Sequence, residues 1–166
     1  MRHDDVPDGT GGRVHAVAAL GAADAGEVLT LQRAAYVSEA QAHDDLRLPP
    51  LIQSLEELCD ELADPDITAL GVREAGRLVG AVRLRLLGRV VELGRLVVAP
   101  DRQGYGIGTA LLHQAERACP RVDEMRLFTG EHSTANLRLY EGNGYSETGR
   151  TSVGNYSLVH LTKVFF

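Results

Sequence analysis

The chain has 166 residues, 44% hydrophobic and 24% charged, with a formal net charge of -6. That length suits one domain with a sizeable core, and the balance is that of a soluble globular protein. The negative charge argues against non-specific nucleic-acid binding, which requires clustered Lys and Arg, and Lys163 is the only lysine.

No apolar run approaches the roughly 20 residues that span a bilayer. The N-terminus, with Asp4, Asp5 and Asp8, lacks the basic and apolar regions of a signal peptide. A cytoplasmic protein with no membrane partner is expected. Cys59 and Cys119 fall in no metal or redox spacing and read as reduced thiols. The six histidines form no ligand cluster, so no metal is expected.

In chain order, residues 1–12 are polar and glycine-rich, a flexible tail ahead of a single domain over 13–166. Arg13 to Leu20 alternates as a first strand. Asp24 is placed to cap a helix running to about Ala42, with Val28, Leu31 and Ala35 on its apolar stripe. Leu48-Pro49-Pro50-Leu51 reads as a rigid connector. Ser54-Leu55-Glu56-Glu57 is a capping box opening a second helix, which Asp64-Pro65-Asp66 ends near Ala63.

Ile67 to Arg73 and Leu78 to Leu86 form a hairpin across Glu74-Ala75-Gly76-Arg77, and Gly88-Arg89 turns into a third strand, Val90 to Val98. Pro100 has no amide hydrogen and stops that strand. Gly104, Gly106 and Gly108 follow, and helical spacing of apolar residues begins at Ile107. Glu124 to Phe128 is a short strand beyond this helix, so it lies parallel to Val90–Val98. Ser133 to Glu141 is a helix, and Tyr145–Ser152 and Tyr156–Val164 close the chain as a hairpin over Gly154-Asn155.

Three glycines between strand and helix serve either a tight turn or an anion site. Without Cβ atoms the backbone approaches a ligand closely, and the helix N-terminus supplies free amides and a positive dipole end. A Walker A loop would need a lysine before Thr109. A dinucleotide fingerprint would need its first glycine directly after the strand, where Pro100-Asp101-Arg102-Gln103 intervenes, and a glycine at Thr109.

Gln103-Gly104-Tyr105-Gly106-Ile107-Gly108 resembles the (Gln/Arg)-x-x-Gly-x-(Gly/Ala) signature of the GNAT superfamily of acyl-CoA-dependent N-acyltransferases. Asn136-Leu137-Arg138-Leu139-Tyr140-Glu141-Gly142-Asn143-Gly144-Tyr145 is similar to its Asn-x-x-x-Tyr-Glu-x-x-Gly-(Phe/Tyr) run. The resemblance implies an α/β (α+β) GNAT fold, with a mixed central sheet of about seven strands, four helices and a splayed parallel central pair. It implies transfer of an acetyl group from acetyl-CoA, the cosubstrate, to a small-molecule or peptide primary amine; the alternatives are transfer of a longer acyl group and a non-catalytic acyl-CoA-binding or sensory domain. Leu96, Val97, Val98, Arg102, Gln103, Gly104, Tyr105, Gly106, Ile107, Gly108, Thr109, Asn136 and Tyr140 are then the cofactor-binding residues, and the Val98 amide is the oxyanion donor. Relatives often carry asparagine where this chain has Ser133, which leaves one CoA contact without its usual side chain.

The same resemblance makes Tyr140 the general acid for the leaving thiolate. Glu92, eleven residues before Gln103, matches the glutamate that histone-type acetyltransferases use as general base. Read as a plain strand residue, Glu92 shares a face with Gly94, Leu96 and Val98, and is either that base or a solvated or ion-paired glutamate facing Arg85 or Arg95. His132 is a loop histidine that either relays protons or is solvated. Acceptor-side residues include Tyr36, Glu39, His43, Asp44 and Asp45, whose carboxylates would favour a cationic amine. The terminal run Lys163-Val164-Phe165-Phe166 reads as an apolar edge that either pairs with a second copy or packs internally. If it pairs, light scattering at micromolar concentration gives the mass of a homodimer, and a monomer mass rejects that pairing.

Overall fold

In the computed structural model, which describes residues 15–165, seven strands form one sheet in the order β1-β2-β3-β4-β5-β7-β6. The strands are β1 Val17–Leu20, β2 Ile67–Glu74, β3 Arg77–Leu87, β4 Val90–Val98, β5 Glu124–Gly130, β6 Ser146–Val153 and β7 Tyr156–Val164. The helices are α1 Ala25–His43, α2 Pro49–Ile52, α3 Leu55–Ala63, α4 Ile107–Ala118 and α5 Thr134–Gly142. The expected tail at residues 1–12 and the start of the expected first strand lie outside the described residues. No helix among the described residues is long and apolar enough to cross a membrane.

Four of these helices are the expected ones, and α2 is an addition. The expected connector at Leu48–Leu51 winds into a single turn because Pro49 and Pro50 occupy its first positions, where a missing N–H costs no hydrogen bond. The capping box at α3 forms as read, with the Glu57 amide donating to Ser54 Oγ at 3.1 Å and the Ser54 amide donating to Glu57 Oε1 at 3.2 Å. Asp24 precedes α1 but makes no side-chain cap. Its carboxylate instead accepts from the Gly21 amide at 2.8 Å and from Arg73 at 3.0 Å.

Two helix layers cover opposite faces of the sheet. Gly80 of β3 faces α4, and Arg83, on the other face by strand alternation, reaches α1 and α3. Arg83 is nearly fully buried. It donates to Gln32 Oε1 at 3.0 Å, and its Nε lies 2.9 Å from Glu61 at an angle too poor for a hydrogen bond. Gln32 also donates to the Pro50 carbonyl at 2.8 Å, so one polar cluster ties α1, α2, α3 and β3 together.

The C-terminal strand is not an edge. β7 lies between β5 and β6, because β5 pairs antiparallel with β7 over Glu124–Gly130, and Phe165 packs against the core. The edge at that end is β6, whose residues are nearly all exposed and mostly polar. The edge-strand reading is therefore corrected: β7 has β5 on one side and, over Tyr156–Thr162, β6 on the other, while Lys163 and Val164 pair with β5 and the Phe165 amide donates to the Asp123 carbonyl at 2.8 Å.

Gly80 sets how closely α4 approaches. A Cβ there would stand 2.6 Å from Ile107 Cγ2 and 3.0 Å from Leu111 Cδ1, both fully buried. Gly80→Ala is expected to cost about 1–3 kcal/mol by overpacking, read as a lowered midpoint in urea unfolding.

Candidate active site

The parallel ladder between β4 and β5 is short. Val90, Val91 and Glu92 pair with Glu124, Met125 and Arg126, and pairing then stops although both strands continue. The expected splay is thus present, and the gap opens beyond Glu92.

β4 also carries a bulge at this point. Gly94 pairs with Arg83 and Val97 with Ala81, so Arg95 and Leu96 together oppose Val82. Arg95 takes φ +53°, a left-handed conformation that costs a non-glycine residue roughly 1–2 kcal/mol. The extra residue resets the alternation. Glu92 and Gly94 stay on the Arg83 face, but Val98 pairs with Gly80 and faces α4. Glu92 therefore does not share a face with Val98, as the unbroken strand had suggested.

Because the Ala99 amide donates to the Val79 carbonyl at 2.8 Å, the antiparallel pattern turns the N–H and C=O of Val98 away from β3. They point into the gap, where β5 is not paired. Gln103 Nε2 meets that carbonyl at 3.5 Å.

A groove of about 310 Å³ runs from this gap along the glycine loop. Leu96, Val97, Val98, Arg102, Gln103, Gly104, Gly106, Ile107, Gly108, Thr109 and Asn136 all line it, as expected. Gly104 and Gly106 adopt φ +83° and +81°, and a Cβ at either would meet nothing within 4 Å. The first helical hydrogen bond of α4 runs from the Ala110 amide to the Gly106 carbonyl at 3.0 Å. The amides of Ile107, Gly108 and Thr109 are thereby left as the free donors of the helix N-terminus. A diphosphate suits this place: bare backbone, free amides and the positive end of a helix dipole.

Three expected cofactor residues behave differently from the rest. Tyr105 does not line the groove; it is 49% exposed, with the Arg102 guanidinium stacked 4.2 Å from its ring centroid. Arg102 lines the groove, but both its Nε and Nη2 donate to Glu74 at 2.8 Å, so it pins the loop to β2. Tyr140 is 4% exposed and is not among the groove-lining residues, although Asn136 and Leu139 on the same helix are. Its hydroxyl has no hydrogen-bond partner among the described residues, and burial pushes its pKa well above the usual phenol value.

From α1, Ala35, Tyr36, Ser38 and Glu39 also line the groove. Glu39, read at first as an acceptor-side carboxylate, accepts from the Ser133 hydroxyl and, at 3.4 Å, from Asn136. Ser133 is buried, and that bond satisfies its hydroxyl. His43 is buried with both ring nitrogens used: Nδ1 donates to the Glu39 carbonyl at 2.9 Å and Nε2 accepts from the His132 amide at 3.0 Å. The His132 ring lies at the surface near Glu131.

A second pocket, of about 560 Å³, opens on the Arg83 face of the sheet. Glu92 lines it and has no ion-pair partner within 4.0 Å among the described residues, so neither Arg85 nor Arg95 neutralises it. Tyr36 lines both this pocket and the groove, and so marks their junction.

A splayed parallel pair beside a glycine loop that opens a helix defines an acyl-CoA-type transferase fold. A model of the acetyltransferase (GNAT) family matches residues 28–145, and the chain belongs to that family. It is 32% identical over 92 residues to an IAA acetyltransferase of Azospirillum brasilense, covering 53% of this chain and 60% of that one. It is 28% identical over 93 residues to a spermidine N(1)-acetyltransferase of Thermoplasma acidophilum, covering 55% and 58%. A Bacillus subtilis protein, UPF0157 protein YqkA, is 28% identical over 138 residues, covering 81% of this chain but 39% of its own length. The chain thus spans about two-fifths to three-fifths of the curated relatives it matches. Among solved structures, the Thermoplasma acidophilum PaiA N-acetyltransferase in complex with coenzyme A aligns at TM-score 0.73 and 21% identity, over 90% of this chain and 98% of that one. The ribosomal-protein-S18-alanine N-acetyltransferase of Escherichia coli aligns at TM-score 0.75 and 16% identity, over 90% and 93%, which shows the shared fold.

The space beside Gly106 is open, but its φ of +81° makes a side chain there cost roughly 1–2 kcal/mol; Gly106→Asp, once circular dichroism shows it folded, places a carboxylate among the free amides. Calorimetric titration should show acetyl-CoA binding weakened severely, by at least about 100-fold.

Proposed function

We propose that this protein transfers an acetyl group from acetyl-CoA to a primary amine, by direct attack within a ternary complex. The observation that carries this reading is the junction at Tyr36, where the groove meets the second pocket. Two substrates can enter from different sides and meet in the β4–β5 gap. The coenzyme A complex of the PaiA relative and the acetyltransferase relatives support the choice of cosubstrate and reaction.

Acetyl-CoA supplies a thioester carbonyl, an electrophile with a thiolate leaving group. The loop amides from Ile107 to Thr109 hold its diphosphate. The Val98 N–H, turned into the gap, receives the developing oxyanion. An alkylamine has a pKa near 10.4, so at neutral pH a base must take its proton before attack. Glu92, unpaired on the acceptor-pocket floor, accepts that proton, directly or through water. Tyr140 gives its phenolic proton to the departing sulfur. Burial keeps that hydroxyl protonated at neutral pH, so the proton is in place, and the same shift means the transfer must be coupled to charge developing on the sulfur.

These roles separate in kinetics. Tyr140→Phe preserves packing and should lower kcat by roughly 100- to 10,000-fold, with acetyl-CoA affinity intact. Glu92→Gln should lose most at neutral pH and recover as pH rises and free amine accumulates. Wild-type turnover in Tyr140→Phe, with chemistry limiting, would remove the acid assignment. An unchanged pH profile in Glu92→Gln would make that residue structural.

A further inference from the structure

The lining of the acceptor pocket is not the acidic one that an ordinary cationic amine would select. Its lining holds four arginines, Arg83, Arg85, Arg95 and Arg126, against two glutamates, Glu61 and Glu92. Three of those arginines already have carboxylates: Arg83 with Glu61 at 2.9 Å, Arg85 with Asp64 at 3.7 Å, and Arg126 with Glu124. Arg95 has none within 4.0 Å among the described residues, and the like charge of Arg83 acts against it. The Arg95 side chain lies against the Tyr36 hydroxyl at the junction of groove and pocket. It stands three residues before Val98, on the bulge that opens the gap. A half-buried cation without a counter-ion, held there by a left-handed backbone, is satisfied by an anion brought in with the substrate.

We propose that the acceptor is an amino acid with a carboxylate beside its amine, and that Arg95 receives this carboxylate. The inference rests on the transferase reading above and names the substrate class for the same site. Gly94 leaves the floor beside Arg95 open, since a Cβ there would meet nothing within 4 Å. Phe128, 58% exposed, with its ring 5.9 Å from that of His160, offers an apolar surface for the side group. A polyamine such as spermidine would bring only positive charge onto this floor.

The test compares phenylalanine with phenethylamine, which differ by the carboxylate alone. Wild-type protein should prefer phenylalanine in kcat/KM. The Arg95→Gly variant removes the guanidinium at a position where glycine suits the backbone better than arginine does, so folding is not at risk. The phenylalanine-to-phenethylamine ratio should fall by about 10- to 100-fold, the worth of one charge-assisted hydrogen-bonded pair, with KM for phenylalanine carrying most of the change. Arg95→Lys should recover part of the ratio. A wild-type preference for phenethylamine, or a ratio unmoved in Arg95→Gly, overturns the proposal while leaving amine acetylation standing. Calorimetry with N-acetylphenylalanine separates the two readings. Arg95-dependent binding of that product without turnover of either amine keeps the carboxylate site and removes the transferase reading; binding that ignores Arg95 removes the site.

Discussion

The whole site depends on one ladder ending early. After Glu92 and Arg126 the parallel strands β4 and β5 stop exchanging hydrogen bonds, although β4 continues to Val98 and β5 to Gly130. Backbone groups that a sheet would normally pair are therefore left for ligands. The bulge at Arg95 resets the phase of β4, putting Glu92 and Gly94 on the acceptor face and Val98 on the α4 face. The Val98 amide is turned into the gap as well, by the antiparallel pairing of β4 with β3. Without the splay that amide would sit in a ladder. Without the bulge the acceptor face would run on unbroken to Val98.

The surrounding structure holds these two irregularities in place. On one face α4 is drawn down onto Gly80, which seats its N-terminus beside the end of β4. Arg102 clamps the glycine loop to Glu74, and Arg77 pairs with Asp101 at 2.7 Å on the same segment. On the other face the buried Arg83 cluster locks α1 and α3 against β3, and so fixes Tyr36 over the gap. Desolvation lowers the Arg83 pKa, but Glu61 opposes that shift, and a guanidinium stays charged through such a change. Breaking the cluster would strand a charge as well as loosen α1.

Charge in this protein is distributed against its average. The chain is acidic, with net charge -6, yet the floor of the acceptor pocket is rich in arginine. Most of its surface ion pairs are exposed and contribute little to stability. Two arginines near the gap are different: Arg83 is buried with Glu61 beside it, and the half-buried Arg95 has no carboxylate within 4.0 Å among the described residues.

Local chemistry in the sequence determined much of this. Proline at 100 ended β4, alternation marked the hairpins, the Ser54–Glu57 box opened α3, and the glycine run with the Asn136–Tyr145 run pointed to the family and to eleven of the groove residues. These features act within a few residues of one another, so they are legible without a fold. What was not legible arises between distant segments. Arginine carries no signal for a left-handed bulge, so the reset of β4 at Arg95 was invisible, and the face of Glu92 relative to Val98 was misread. The order β5-β7-β6 turned an apparent edge strand into an interior one. The engagement of Arg102 by Glu74, and the place of Tyr36 between two pockets, depend on residues dozens of positions apart meeting across the sheet. Only tertiary packing decided those, because a strand's neighbours and a side chain's surroundings are properties of the assembled layers.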